Sequence, residues 1–345
     1  MARQKNIRYL MKIQLNKMES YRRSKKADQQ RTKEERSNAK TKGIAFEEYR
    51  TIDYTKDHIY SINTMKLYQH QVDLFADYLT ENGLNKITME EAKEHIQDYL
   101  NFLHTEKKLS PTSIHTACAS LSKVFHTTMW EYDKPQRSIA EITRGNQTFK
   151  GKNVDMIEEL EKSRVWCINR DFLGMRRNEL INLRAEMIAE KNGRVIIKYI
   201  GKGGKYNQQI FTDEKEKAFV LSLKNGKQPN ERIFTKQEIK NAHNLHKARE
   251  LRSKAVYERV VNDIANRGET AKMEYENEIR RIFKDNHKTI RENLDNPYFV
   301  RGANRQRLLQ ENRPVEYSRI ALLYVSVTVT QHFRSNTTAN HYIAK

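Results

Sequence analysis

Tyr342 closes the segment Gln331-His332-Phe333-Arg334-Ser335-Asn336-Thr337-Thr338-Ala339-Asn340-His341 of a strongly basic chain. A phenol can act as a nucleophile, and attack on a phosphodiester calls for cationic donors around the phosphate. Such donors stand upstream in a fixed order. Arg176 lies in Gly174-Met175-Arg176-Arg177-Asn178-Glu179-Leu180, Lys202 in Gly201-Lys202-Gly203-Gly204-Lys205, and His246 with Arg249 in Asn244-Leu245-His246-Lys247-Ala248-Arg249-Glu250. Arg176 and Glu179 are spaced so that an acid can orient a guanidinium, and His246 and Arg249 share a helix face. Each alone has an ordinary reading as a surface ion pair, a solvated lysine or a packing tyrosine. Taken in order with His332, they supply anion clamps, proton donors and acceptors and a nucleophile. The glycines around Lys202 do not make a nucleotide-binding loop, because no Ser or Thr follows the lysine and a strand comes next.

These residues need elements to hold them. Trp166 to Leu183 reads as a helix carrying Arg176 and Glu179 on one face. Arg194-Val195-Ile196-Ile197-Lys198-Tyr199-Ile200 and Tyr206-Asn207-Gln208-Gln209-Ile210-Phe211 read as two strands of a hairpin with lysines at its tip. Val256 to Leu294 reads as long, highly charged helix. Upstream, Leu67, Val72, Phe75, Tyr78 and Leu79 recur at helical spacing and stop at Gly83. Ile96, Tyr99, Leu100 and Leu103 mark a second helix. Ser110-Pro111 opens a third, with Ile114, Cys118, Leu121, Val124 and Phe125 on one side. This is a small helical bundle, whose Lys107, Lys108, Lys123, His115 and His126 are candidates for phosphate contact. Asp133 to Lys152 reads as a linker, with a second domain starting near Met156.

The 345 residues, 37% hydrophobic and 31% charged, suit about two folded domains. No apolar run reaches membrane-span length and no apolar signal core follows Met1, so a cytoplasmic location is expected. Cys118 and Cys167 lack metal-ligand spacing and read as buried thiols. The net charge of +20 points to a polyanion. Residues 1–45 hold fourteen Lys or Arg against four Asp or Glu, a net of +10. Arg22, Arg23, Lys25 and Lys26 there, with Lys205 on the hairpin, are the expected DNA contacts.

The ordered series resembles the tyrosine recombinases, or phage integrases, whose catalytic domain uses Arg, a hairpin Lys, His-x-x-Arg, a His or Trp, and a C-terminal Tyr. Tyr317-Ser318-Arg319-Ile320-Ala321-Leu322, Val325-Ser326-Val327 and Asn340-His341-Tyr342 look most like integrases of bacterial mobile elements and prophages. The resemblance implies a mainly α fold with a small β-hairpin or sheet. A basic arm (1–45) would precede a helical SAM-like core-binding domain (46–145) and a catalytic domain (150–345) with a helical insertion around 256–294. It implies Arg176, Lys202, His246, Arg249, His332 and Tyr342 as catalytic residues, Glu179 and Phe333 as support, and neither metal nor cofactor. Tyr342 would form a 3′-phosphotyrosyl link, Arg176 and Arg249 would clamp the phosphate, Lys202 would protonate the leaving 5′-oxygen and His246 would accept the phenol proton. Double-stranded DNA is the implied partner, with a homotetramer on synapsed sites near the nucleoid and accessory DNA-bending or excision factors.

Three departures stand out. Phe333 occupies the place of the family's His or Trp, with His332 one residue earlier. Glu250 puts a carboxylate next to Arg249, and Arg249 and His332 lie 83 positions apart. Only Ile343, Ala344 and Lys345 follow Tyr342, where family members commonly pack a helix on a neighbouring protomer, so another surface, such as the 256–294 helices, is expected to do that coupling unless the chain ends early. Type IB topoisomerase-like relaxation and a catalytically weakened DNA-binding relative are the alternatives. No motif encodes the DNA target.

Overall fold

The computed structural model describes residues 6–84, 86–136, 148–149, 152–153, 157–201 and 206–344, with backbone alone at Thr148, Phe149, Lys152, Asn153 and Ala303. Lys202, Lys205, Arg137 and Met156 lie outside the described residues. The chain divides into two compact units after Ile142.

The first unit is helical. Its elements are α1 (Ile7–Lys17), α2 (Lys25–Thr41), α3 (Phe46–Tyr49), α4 (Ile62–Glu81), α5 (Met89–Glu94), α6 (Ile96–Thr105) and α7 (Pro111–Val124). The stripes read from sequence form its core: Val72, Phe75 and Leu79 of α4, Ile96, Tyr99 and Leu100 of α6, and Ile114, Cys118 and Leu121 of α7 are buried together. Leu67 is the exception, lying exposed on α4. Gly83 ends α4 at φ +76°, a conformation glycine adopts without cost, and Ser110 caps α7 by accepting the Ser113 N–H.

The basic N-terminal stretch, expected as an arm, is folded over its described part. Ile7, Met11 and Leu15 of α1 lie in the same core as α4 and α7. Before α2, Arg23 grips Asp28 through Nε at 2.6 Å and Nη2 at 2.8 Å, and Tyr60 Oη donates to the same carboxylate at 2.7 Å. The Arg23 hydrogen bond, then that of Tyr60, holds the Asp28 carboxyl down at about 2. Arg23 is thus paired with Asp28 although it is exposed, as Arg22, Lys25 and Lys26 are. Lys123 also turns inward, donating to the carbonyls of Thr55 (2.7 Å), Lys56 and His58, and His126 faces Asp57 at 3.1 Å.

The second unit opens with the paired strands β1 (Thr148–Phe149) and β2 (Lys152–Asn153). Then come α8 (Ile157–Glu161), α9 (Arg164–Ile168) and α10 (Arg177–Asn182). An antiparallel sheet follows in the order β3 (Ile188–Lys191), β4 (Arg194–Ile200), β5 (Tyr206–Phe211), with Ile200 opposite Tyr206 at the hairpin tip. Both hairpin strands have the bounds expected. The rest is α11 (Glu214–Ser222), α12 (Lys236–Asn241), α13 (Leu245–Arg267), α14 (Glu269–Asp285), β6 (Tyr298–Phe299), α15 (Gly302–Gln310), β7 (Glu316–Tyr317), α16 (Arg319–Val325) and α17 (Ser335–Thr338), with β6 pairing β7. The fold is mainly α with small sheets, as expected.

Two sequence expectations change. The helix expected from Trp166 to Leu183 is interrupted: a π-helical turn (Asn169–Leu173) follows α9, and Gly174 leaves it at φ +59° before α10 begins. The stretch 256–294 is part of the core. Val256 and Val260 of α13, Ile279, Ile282 and Phe283 of α14, and Leu294 bury against Ile320, Leu323 and Val325 of α16. The charged face that marked it in sequence is the outer half of amphipathic helices.

Ile279 is fully buried and Arg280 exposed. Ile279→Ala should therefore destabilise the protein by about 2–5 kcal/mol in urea unfolding, and Arg280→Ala by under about 0.5 kcal/mol. The Asp28 carboxyl has a lower pKa folded than unfolded, so its stabilisation is full above about pH 4 and is lost as pH falls toward 2. Asp28→Asn should flatten that acid limb in thermal melts taken across this range.

Candidate active site

The site is built where three loops meet the first turns of α13. The first loop is Gly174-Met175-Arg176. Buried Asn169 pins it, accepting the Met175 N–H at 2.7 Å and donating through Nδ2 to the carbonyls of Met175 (3.1 Å) and Leu245 (3.4 Å). The loop is thereby tied to the start of α13. Gly174 has no room for a side chain, since a Cβ there would stand 2.5 Å from Val329 Cγ1 and 3.1 Å from Arg252 Cγ. Arg176 is the N-cap of α10 and Glu179 sits in its first turn. Glu179 Oε2 accepts the Arg176 backbone N–H and Oε1 accepts Arg176 Nη1, both at 2.8 Å. Their contact arises from this cap and not from one continuous helix.

Glu179 also faces the second arginine, with Arg249 Nη1 at 3.7 Å from its Oε2. One buried carboxylate therefore gathers two guanidiniums. Arg249 is 1% exposed, and protein acceptors surround it. Nη1 donates to the Gly174 carbonyl and Nη2 to the Thr330 carbonyl, each at 2.5 Å, and Nε donates to Tyr342 Oη at 3.3 Å. Burying a guanidinium is tolerated when its charge is paired and its N–H groups are used. Burial, then the nearby Glu179 charge, pushes the Tyr199 phenol of β4 upward, so it stays neutral beside this pair.

The second loop presents His332, and the third, the Ala339–Ile343 turn, presents Tyr342. Ser326 to Thr330 form a π-helical turn after α16, and Gln331 and Phe333 both take left-handed backbone, φ +56° and +57°. Such values are unfavourable for residues with a Cβ and persist where surroundings fix them. Ser326 supplies part of that fixing, its carbonyl accepting the His332 N–H at 3.1 Å and its Oγ the Arg334 N–H at 2.8 Å. The two neighbouring side chains thereby face different surroundings. His332 Nε2 lies 3.5 Å from Tyr342 Oη, whereas Phe333 is buried edge-on against Phe283, ring centroids 5.3 Å apart. Phe333 supports the core and does not meet the phenol. Tyr342, 4% exposed, lies in a third π-helical turn (Ala339–Ile343) among Val300, Leu308, Tyr317 and Leu322.

His246, in the first turn of α13, has its ring centroid 5.7 Å from that of Tyr342. Thus Arg176, Glu179, His246, Arg249, His332 and Tyr342 converge, and Lys202 and Lys205 fall outside the described residues. The chain leading to Lys202 does reach the site: a Cβ on Gly201 would lie 3.4 Å from Glu179 Oε1 and 2.1 Å from Asn207 Nδ2. Glu250 is paired with Lys247 and Lys254, each at 3.0 Å, which offsets the carboxylate beside Arg249. Asn169, Ser326 and Thr330 were missed by sequence reasoning. Asn169 and Ser326 hold backbone groups six to eight residues away, and Asn169 and Thr330 also meet Leu245 and Arg249 far along the chain, spacings that match no regular helix or strand pattern. Among the described residues no cluster of His, Cys, Asp or Glu could hold a metal ion, and no helix is long and apolar enough to cross a membrane.

Residues 49–131, within the first unit, match the family model for the phage integrase N-terminal SAM-like domain. That match places a phage integrase N-terminal SAM-like domain in the first unit and covers about a quarter of the chain. No curated protein matches it. Among solved structures it is similar to the XerH site-specific recombinase bound to palindromic difH substrate in a post-cleavage complex. That likeness has 14% identity and a TM-score of 0.39, covering 82% of this chain and 88% of the other. The XerH pre-cleavage complex with difH gives 14%, 0.36, 75% and 87%. The XerA recombinase gives 18%, 0.20, 57% and 78%. These distant likenesses add no residue roles.

Gly174→Ala should cost about 1–3 kcal/mol, from left-handed strain and the contact with Val329. Asn169→Leu should cost about as much by leaving the Met175 N–H unpaired. Thermal unfolding of the two variants checks both.

Proposed function

We propose that this chain is a site-specific DNA recombinase that cuts and rejoins strands through a 3′-phosphotyrosyl intermediate, serving the integration or excision of a mobile element. One observation carries the reading: the Tyr342 hydroxyl lies against Arg249 Nε and His332 Nε2, and Glu179 couples Arg249 to the more exposed Arg176. A nucleophile, two anion donors and two titratable rings thus share one point. The integrase-type domain over 49–131 supports DNA as substrate. On this reading residues 46–145 grip DNA, and 150–345 hold the chemistry.

In the proposed step, Tyr342 Oη bonds to phosphorus as the bond to the 5′-oxygen breaks. The phenol proton passes to His246, and the departing 5′-oxygen takes a proton from Lys202. Attack of another 5′-hydroxyl on the phosphotyrosine reverses these transfers and restores the diester. Its bond energy is conserved, so neither ATP nor metal is required. Arg176 and Arg249 stabilise the charge that gathers on the non-bridging oxygens. A protonated phenol is a poor nucleophile and needs a base within reach. The 3.5 Å approach of His332 favours a second reading in which it, rather than His246, takes the proton. Since Tyr342 is buried, attack also requires the Ala339–Ile343 turn to move toward DNA. A homotetramer on synapsed sites would pair such events.

Nicked suicide duplexes should trap a covalent protein–DNA complex. Tyr342→Phe should abolish it, and Arg249→Ala should slow it by about 10²–10³-fold. Of His246→Ala and His332→Ala, the variant lacking the base should lose the rise of cleavage rate between about pH 5 and 8. Supercoil relaxation without recombinant product would favour the topoisomerase alternative. A wild-type protein that binds DNA and forms no adduct would be a catalytically weakened relative.

A further inference from the structure

The helix leading to Tyr342 has no cap of its own. Its N-cap is Arg334, whose side chain offers no acceptor, so the Ser335 N–H depends on a group from elsewhere. That group is Glu292, 43 residues upstream. Its Oε1 accepts the Ser335 N–H at 3.1 Å and its Oε2 accepts the Ser335 hydroxyl. Glu292 is aimed in turn by Arg319, whose Nη1 donates to Oε2 at 2.9 Å while Nε and Nη2 hold the carbonyls of Asn296 (2.8 Å) and Pro297 (3.0 Å). A guanidinium using three N–H groups on one loop fixes that loop. From the opposite side Ser326 Oγ holds Arg334, accepting its N–H and donating to its carbonyl at 3.2 Å. The Arg334–Ser335 junction is therefore clamped between the 292–297 loop and the end of α16. Glu292 lies within the stretch that the sequence marked as an insertion.

We propose that Glu292 is a positioning residue for the nucleophile: by capping Ser335 it fixes where the tyrosine-bearing helix starts, and so where Tyr342 meets Arg249 and His332. This inference rests on the phosphotyrosyl reading above. The cap is charge-assisted and accepts two hydrogen bonds, so its loss frees the short α17 at its first residue. The chemistry stays with Tyr342, Arg249 and the histidines.

The test compares the full chain with Glu292→Ala and Glu292→Gln, using hydrogen exchange and covalent trapping on a pool of nicked duplexes of randomised sequence. Glu292→Ala should speed exchange across residues 335–343 and slow adduct formation, each by about tenfold, with affinity for the pool unchanged. Glu292→Gln, which keeps an acceptor oxygen, should recover part of both. Should Glu292→Ala fail to fold, Ser335→Ala, which loses only the hydroxyl, should show a smaller change confined to the same segment. Unchanged exchange at 335–343 would overturn the inference. So would faster exchange throughout residues 157–344 with parallel loss of affinity, the sign of a merely structural role. If exchange changes as expected and wild-type protein forms no adduct, the tether stands and the recombinase reading fails, taking the catalytic purpose of Glu292 with it.

Discussion

The second unit depends on how a buried arginine is satisfied. Arg249 arrives on α13 with a charge that the interior accepts only if it is paired and hydrogen-bonded. Its partners come from four separate places: the Gly174 carbonyl, the Thr330 carbonyl, the Glu179 carboxylate and the Tyr342 hydroxyl. Meeting that one requirement brings the α9–α10 junction, the end of α16 and the Tyr342 turn to a common point. The packing that shapes the unit and the arrangement that could do chemistry are the same set of contacts.

The backbone shows the cost of this convergence. Three π-helical turns, Asn169–Leu173, Ser326–Thr330 and Ala339–Ile343, lead to or contain Gly174, His332 and Tyr342. Each is a local departure from regular helix that re-aims a carbonyl or side chain, and such turns occur often at functional sites. Gln331 and Phe333 add left-handed backbone on either side of His332. The hydrophobic contacts of α13, α14 and α16 with Val327, Val329 and Phe333 hold these features in place. The long segment between Arg249 and His332 is thus the buttress of the His332 loop, and its Glu292 reaches the Tyr342 helix directly.

Much of this was legible in the sequence. Three helices of the first unit, α4, α6 and α7, and the hairpin strands follow from apolar periodicity and turn residues, which act locally. Pairing of Arg176 with Glu179 followed from spacing, although a cap delivers it. What stayed hidden depends on contacts distant in sequence. Nothing in the periodicity of Trp166 to Leu183 announces that Gly174 adopts positive φ, or that Val329 and Arg252 leave no room there for a Cβ. The separate placements of His332 and Phe333 rest on Ser326 and on the core around Phe283. The density of basic residues in 1–45 suggested a solvated arm, and the sparser stripe of Ile7, Met11 and Leu15 that folds α1 onto the bundle was overlooked. Charge counts likewise could not show that Arg23 pairs with Asp28 and that Lys123 donates to backbone carbonyls.

The central claim is that the hydroxyl beside Arg249 and His332 is the group that bonds to DNA. Peptide mapping by mass spectrometry of a covalent complex trapped on a nicked duplex tests it most directly. The nucleotide mass should lie on Tyr342, in the tryptic peptide that begins after Arg334. An adduct on any other residue would contradict the claim, as would the absence of an adduct from folded, DNA-binding protein.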